Sequence, residues 1–444
     1  MQHPGAKQPC FNVSLMLGLF VLASFVLSQP SALWAHATIK HPATSPSTKR
    51  TKNAFTATVK RLMQKHKSAL QEIRSLHTNV VQTWIQLSEI PAPSKREQKK
   101  AAFFARLLRE AGLKVSTDAF GNVIGLYQGH GPAPRKKVVL CAHMDTVFDT
   151  SVNHKVRRKG TKLLGPGVLD NTVGLVNMVV VARMLKKYNV KLHHDIWFVG
   201  TVQEEIGLKG AQHLVKKHKK KIAMMIALDG GYGGISYGGI GIHWYRIEFH
   251  GKARHTLSSM GQPSTTLAAA RAITNIYKIR VPSKPMMQKT WYNIGRLGGG
   301  KVVNAQAKRA WFTVDLRSMS AQQLRQLENK VFARARQAAR KTGVTVRIVP
   351  LQKMPAVQLR GMRNHKLVQG AAAIFKAQGA TKVAIHPFGA NDHCAGLAVG
   401  IPGINTGTTT GGSIHSLREW AESKHVTKGI QHTYLLTLLV AQKP

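Results

Sequence analysis

His143, Asp145, Asp170, Glu204, Glu205, Asp229 and His415 are the residues of this chain whose types and spacing are best suited to chemistry. Their background makes them stand out: Asp and Glu number only 18, against 65 Lys and Arg. Carboxylates are scarce in general, yet five of them follow apolar runs or sit in glycine-rich loops. Divalent cations are held by neutral imidazole and ionised carboxylate oxygen, and lysine or arginine cannot take their place. The seven residues therefore read as a candidate two-cation site that could hydrolyse a bond with water.

Each motif has a plainer reading beside the chemical one. His143-Met144-Asp145 follows the apolar run 138–142. Residues i and i+2 of an extended chain face the same way, so Asp145 can accept a hydrogen bond from the His143 ring and fix its tautomer. A buried strand-end histidine bonded to an aspartate fits the same residues. Residues 165–171, Gly-Pro-Gly-Val-Leu-Asp-Asn, put Asp170 at a loop tip where one carboxylate can bridge two cations. As plain structure, Asp170 would cap the helix that begins at Thr172. Glu204 and Glu205 follow the apolar run 196–199. Adjacent carboxylates repel unless a cation or a shared proton lies between them. One can then bind metal while the other accepts a proton from water. A solvated glutamate pair fits poorly after so apolar a run. Asp229, after Ile226-Ala227-Leu228, and His415, within 412–416, carry little alone. Gly230, Gly231, Gly233 and Gly234 match neither the GxGxxG nor the P-loop spacing, so a nucleotide loop is set aside.

The elements around these motifs alternate between strand and helix. Residues 123–127, 137–142, 195–203 and 222–228 read as strands, and 99–111, 172–187 and 208–217 as helices. Continuous apolar strands between helices predict an α/β domain with a mostly parallel sheet covered on both faces. The motifs then fall at the C-terminal ends of strands, where open α/β sheets place their sites. The middle differs: strand 243–249, helix 265–277, paired strands 290–296 and 309–316, helix 321–341 and strand 344–350. The order βαββαβ predicts an inserted ferredoxin-like α+β domain over 239–356. The catalytic domain is split into 67–238 and 357–444, the latter resuming with helix 367–378 and strands 383–387 and 400–405. Residues 67–89 carry helical spacing, and 38–66 read as a basic linker.

Length and an apolar content of 43% allow a large core and argue against global disorder. A net charge of +47 would suit nucleic acid, an anionic envelope surface or acidic substrates. The basic residues are spread along the chain with no helix-turn-helix, zinc-finger or RNA-recognition pattern, so the expectation is non-specific contact with anionic surfaces and no specific nucleic acid. Lys7, the apolar run 11–27 and the small-x-small triplet at 35–37 read as a cleavable signal peptide over 1–37. This predicts export, to the periplasm or beyond; an uncleaved anchor is the alternative. The run is short of the ~20 residues of a membrane span. Cys141, in the apolar run 138–141, reads as a buried free thiol; export would permit a Cys141–Cys394 bridge, for which the sequence gives no geometry.

Taken in order, the set resembles the dinuclear-zinc metallopeptidase family of peptidase T, carboxypeptidase G, acetylornithine deacetylase and succinyl-diaminopimelate desuccinylase. The matching pieces are Ile90-Pro91-Ala92-Pro93-Ser94 with Glu97, the His143–Asp145 pair, 167–171, Glu204-Glu205, Leu228-Asp229-Gly230, and Ile414-His415-Ser416 with Glu419-Trp420. In the insert, Gly251 to His255, Tyr292 to Gly295 with Gly298, Gly299 and Asn304, and Val314 to Ser318 match as well. The similarity covers roughly residues 68–442.

The resemblance implies a peptide-bond hydrolase working through a metal-activated water. Asp170 would bridge two zinc ions, with Co2+ or Mn2+ as possible substitutes. His143 and Asp229 would complete one site, and Glu205 and His415 the other. Glu204 would be the general base and Asp145 would orient His143. His255 would reach across a homodimer to the partner's site, while Asn304 and Arg317 hold a peptide or N-acyl amino acid substrate. The resemblance also implies a cis Asp170–Asn171 peptide and a lid and dimerisation role for the insert. Aspartate at 229 looks more like the aminopeptidase members, with a carboxypeptidase or N-acyl amino acid deacylase as alternatives. Asn304-Ala305-Gln306-Ala307, Gly389 to His393 and Thr256 depart from the family pattern, which touches substrate preference. Outside the enzyme reading, the remaining expectation is a basic binding protein on the same fold.

Overall fold

The computed structural model describes residues 46–442. The signal-peptide reading over 1–37 lies outside the described residues. An eight-stranded sheet forms the centre, in the spatial order Lys114–Thr117, Val123–Tyr127, Asp195–Thr201, Lys137–His143, Ile222–Leu228, Gly403–Thr406, Gly234–Ser236, Ala384–His386. The inner strands pair in parallel, from Asp195–Thr201 through Lys137–His143 and Ile222–Leu228 to Gly403–Thr406. Antiparallel pairs lie to either side.

The apolar run in Lys137–His143 shows why this sheet is a middle layer. Val138, Leu140 and Ala142 join the large cluster that includes the helices Gln98–Glu110, Val173–Lys187 and Val426–Ala441. Val139 and Cys141 point the other way, into a smaller cluster with Ala211, Leu214 and Val215 of helix Lys209–His218. Period-two side chains that are apolar on both faces require cover on both faces. Helix Val173–Lys187 lies so close to the strand ends that a Cβ on Gly174 would stand 2.3 Å from the Leu228 carbonyl oxygen. Cys141 and Cys394 are both buried free thiols.

The insert is a four-stranded antiparallel sheet in the order Thr290–Gly299, Arg309–Ser318, Gly241–His250, Thr345–Met354. Helices Thr265–Tyr277 and Ala321–Thr342 cover one face of it. Tyr245, Ile247 and Phe249 alternate into that core opposite Phe312, Val314 and Leu316. The chain enters and leaves the insert side by side, through mutual backbone hydrogen bonds between Gly239 and Val357. The α/β architecture with a ferredoxin-like insert stands as expected.

The stretch 38–66 is not a linker throughout. Pro46–Lys65 is a helix, followed by helices Lys67–Ser75 and His77–Ser88. Phe55, Val59, Leu62 and Met63 recur at helical spacing between the basic residues. Val59 is fully buried, and this helix packs on helices Lys366–Ala377 and Val426–Ala441. A third sheet joins Gly411–Gly412, Trp420–Glu422, Lys162–Leu164 and Arg157–Lys159. Its strands of two or three residues carry no readable alternation, yet they tie the loop bearing His415 to the loop bearing Asp170.

Candidate metal centre

Three parallel strands bring the acidic motifs to one edge. His143 ends its strand, Glu204 follows Asp195–Thr201 across a turn, and Asp229 comes directly after Ile222–Leu228. Asp170 enters from the loop ahead of helix Val173–Lys187. That loop is fixed at several points. Gly167 turns it with φ 69°, and Trp84 Nε1 donates to the Val168 carbonyl at 2.7 Å. The Asp170–Asn171 peptide is cis, as the resemblance implies.

The side chains converge on Asp170. His143 Nε2 lies 2.9 Å from one carboxylate oxygen and His415 Nε2 lies 3.0 Å from the other. His415 Nε2 is also 3.1 Å from Glu205 Oε2, and His143 Nε2 is 3.7 Å from Asp229 Oδ2. Three overlapping groups offer ligand atoms within 4.8 Å of one another: His143 with Asp170 and Asp229, His143 with Glu204 and Glu205, and Asp170 with Glu205 and His415. His415 is held in the left-handed backbone region at φ 61°, uncommon for a residue with a side chain. Asp170 does not cap the helix; both its oxygens face histidines.

Asp145 stands behind this cluster. Its carboxylate accepts Ser94 Oγ at 2.6 Å and the backbone N–H groups of Glu204 and Glu205 at 3.0 and 3.2 Å. It lies 3.6 Å from His143 Nδ1, which is closer still to the Asp145 carbonyl at 2.8 Å. The backbone carbonyl is therefore the nearer acceptor for that ring nitrogen.

The charges crowd one another. Burial pushes the Glu204 carboxyl well above its ordinary range, reinforced by Asp392, Glu205 and Asp229. Burial and the neighbouring Asp170 push Asp229 up to about 7. Hydrogen bonds to Asp170 and Glu205 raise His415 to about 10. Burial opposes the charge on Asp170, but the two histidines outweigh it and hold its pKa low. Such a cluster keeps protons where cations could replace them. Glu205 Oε1 is buried with no partner. An acceptor left over among imidazole and carboxylate donors fits a divalent cation, so the residues present suit a metal pair.

The three residues of the insert lie apart from this cluster. Among the described residues, His255, Asn304 and Arg317 make no hydrogen bond or ion pair to it. His255 and Asn304 are exposed and adjacent, with the Thr256 N–H donating to the Asn304 carbonyl at 3.0 Å. The Arg317 guanidinium is occupied by Asp315, its Nε 3.0 Å from both carboxylate oxygens.

Several supporting residues were given no role from sequence. Glu419 accepts the backbone N–H groups of Gly167, Leu169 and Asp170 at 3.2, 2.8 and 3.0 Å, so it shapes the Asp170 loop. Glu97 accepts from the Lys95 and Gln203 amides, and Asn391 donates to Asp229 Oδ2 at 2.6 Å. Asp392 accepts from Thr201 Oγ1 at 2.5 Å. The scarcity of acids that singles out the first five would also have found Glu97, Asp392 and Glu419.

Residues 122–258 match the model of Peptidase family M28, and residues 237–343 match the Peptidase dimerisation domain. The chain is 25% identical to carboxypeptidase G2 of Pseudomonas sp. (strain RS-16) over 290 residues, covering 64% of this chain and 67% of that one. Its fold is similar to aminopeptidase PepT of Bacillus cereus, with a TM-score of 0.66 and 22% identity over 82% of this chain and 99% of that one. A dinuclear metal-binding peptidase of the M20 family from Bacillus subtilis aligns with a TM-score of 0.63 and 16% identity, over 83% of this chain and 99% of that one.

Proposed function

The chain belongs to the M28/M20 dinuclear metallopeptidases with an inserted dimerisation domain and is a hydrolase of peptide or amide bonds; from that premise we propose that it is a zinc-dependent aminopeptidase acting on short peptides. The observation that carries this reading is the convergence of His143 and His415 on the two oxygens of Asp170, with a buried Glu204 beside them.

His143 and Asp229 would hold one ion, Glu205 and His415 the other, and Asp170 both. When bound, the ions would supply Lewis-acid polarisation of the scissile carbonyl and a water acidic enough to react near neutral pH. Glu204 accepts the proton of the attacking water and returns it to the leaving amine. Its burial suits this, since a carboxyl with raised proton affinity both takes and gives a proton near neutral pH. Asp145 holds the turn that aims Glu204 and Glu205. His255 of a second copy would donate to the carbonyl oxygen, and Asn304 and Arg317 would hold the substrate backbone or carboxylate. Zinc suits a nitrogen and oxygen donor set of this kind, with cobalt or manganese as substitutes.

The match to carboxypeptidase G2 favours a second reading, removal of a C-terminal residue or of an N-acyl group. Di- and tripeptides with free or blocked termini, together with N-acyl amino acids, offered to the zinc-loaded protein decide between the two. Loss of cleavage on blocking the amino end supports the aminopeptidase. Retention there, with loss on blocking the carboxyl end, supports the alternative. We further propose that the protein is exported and makes salt-sensitive, non-specific contacts with anionic surfaces.

A further inference from the structure

Four successive amides carry the chain from strand Asp195–Thr201 to the paired glutamates, and a side chain accepts each of them. The Val202 N–H donates to Asn122 Oδ1 at 3.2 Å and the Gln203 N–H to Glu97 Oε1 at 3.0 Å. The amides of Glu204 and Glu205 donate to the two oxygens of Asp145 at 3.0 and 3.2 Å. The pairing with the His143 strand ends at Thr201, so beyond it the turn takes its shape from these acceptors.

Gln203 stands in the left-handed backbone region at φ 56°, immediately before Glu204. That region is costly for a residue with a Cβ and persists only where its surroundings hold it. The backbone angles of Gln203 also set the direction in which the chain presents Glu204 and Glu205. The same Glu97 oxygen accepts the Lys95 N–H at 2.9 Å, and Lys95 is left-handed too, at φ 78°. One carboxylate oxygen thus holds two strained residues, one on each of two segments. Two plainer duties for Glu97 do not fit. It precedes helix Gln98–Glu110, yet its side chain makes no capping bond to that helix. At 4% exposed it is no solubilising charge. Its segment is anchored beside the His143 strand end, where the Thr146 N–H donates to the Ala92 carbonyl at 2.8 Å and Ser94 Oγ to Asp145 at 2.6 Å. Glu97 and Asp145 therefore grip adjacent amides of the turn from one joined base.

We propose that Glu97 is a positioning residue of the metal centre: by accepting the Gln203 amide it keeps that residue left-handed, and so fixes where Glu204 and Glu205 enter the ligand cluster. The inference rests on the ligand assignment above. A glutamate that merely fills a buried space makes a different forecast, because a glycine at position 203 could not relieve its loss.

The test uses Glu97→Ala, Glu97→Gln, Gln203→Gly and the double variant Glu97→Ala with Gln203→Gly. Zinc affinity is read by competition against a chromogenic chelator, and hydrogen exchange of amides 202–205 is read on the metal-free proteins. Glu97→Ala is expected to lose about 10–100-fold in zinc affinity, the usual effect of removing a group that orients ligands. Its amides 203–205 should exchange faster while the central strands keep their protection. Glu97→Gln retains an acceptor oxygen and should lose less. Glycine takes the left-handed region without strain, so Glu97→Ala should cost less in the Gln203→Gly background than in the parent. Asn189→Gly, at another left-handed position with φ 44°, should give no such relief. Parent-like zinc affinity in Glu97→Ala, equal losses in Glu97→Ala and Glu97→Gln, or equal costs in the two backgrounds would overturn the proposal, as would equal relief from Asn189→Gly. If Glu97→Ala does not fold, the double variant decides: recovery of folding and zinc binding supports the proposal, and failure to recover overturns it. Zinc stoichiometry of the parent checks the ligand assignment separately. A parent that binds none sinks that assignment, whereas two ions in the parent with equal costs in both backgrounds sink the role of Glu97 alone.

Discussion

Glu205 Oε2 lies 3.1 Å from His415 Nε2, whereas its neighbour Glu204 makes no ion pair among the described residues. Two adjacent glutamates thus have different surroundings, and Asp145 holds the backbone of both. Glu204→Gln is expected to keep two zinc ions while kcat falls by about 10²–10⁴, the range for a lost general base. Glu205→Ala should weaken one ion and regain part of its activity in excess zinc. Metal stoichiometry measured beside kcat checks this. Zinc loss in Glu204→Gln with none in Glu205→Ala would reverse the two roles.

Two fully buried histidines outside the ligand set make stability depend on acid. Burial depresses His432 from 6.5 to about 3 and His393 from 6.5 to about 4. His432 stacks on Phe375 with ring centroids 3.7 Å apart, which leaves no room for a hydrated imidazolium. Below pH 6.5 the unfolded chain takes up protons that the folded protein refuses. Stability is therefore full above that pH and is lost as pH falls toward the folded values, by up to about 1.4 kcal/mol per pH unit for each histidine. Urea unfolding at pH 7 and pH 5 should show the loss, and His432→Phe should flatten it. An unchanged slope in that variant would remove His432 from the account.

What the sequence revealed and concealed follows one physical line. The runs before His143, Glu204 and Asp229 are apolar on both faces, so both the central sheet and the position of the acids at strand ends could be read from period and burial. The helix Pro46–Lys65 was hidden because its few apolar residues, Val59 among them, sit in a lysine- and threonine-rich stretch; its cover comes from helices more than 300 residues away. Lys100 was hidden for the opposite reason. One lysine in the run Lys99-Lys100 looks like any surface charge, and only the fold turns it inward. The place of His255 was beyond any single-chain pattern, since nothing among the described residues of its own copy engages it with the cluster.

Part of the basic surface of the insert is concave. A cleft of about 540 Å³ between the end of helix Thr265–Tyr277 and helix Ala321–Thr342 is lined by Lys278, Arg280, Lys330, Arg334 and Arg340. None of the five pairs with a carboxylate among the described residues. Low-dielectric walls lined by one sign of charge concentrate the potential. Binding to heparin should weaken log-linearly with salt and show no sequence preference when a DNA panel replaces it. Arg280→Gln with Arg334→Gln and Arg340→Gln should reduce the salt slope more than glutamine at the exposed Lys219, Lys220 and Lys221. Equal effects from the two triple variants would assign the binding to overall charge instead.

His255 and Asn304 sit on exposed loops beside Leu257, 90% exposed, and Met260, 88% exposed, while Val303 is fully exposed. Apolar side chains left in water beside a histidine with no tie to its own site mark a surface that a second copy would cover. In a two-fold dimer each copy would meet the same patch on the other. If His255 serves the partner's site, Glu204→Gln and His255→Ala are each inactive alone but complementary together. A mixed dimer has one site with an intact Glu204 facing an intact His255, and one site lacking both. Random exchange of equal amounts makes half of the dimers mixed, so roughly a quarter of parental activity should return. The measurement is kcat/KM of the two variants before and after dissociation and reassociation, with light scattering to follow the oligomer. No recovery from a confirmed mixture of dimers would place His255 outside the partner's chemistry, and a protein that stays monomeric at assay concentration would remove the trans arrangement altogether.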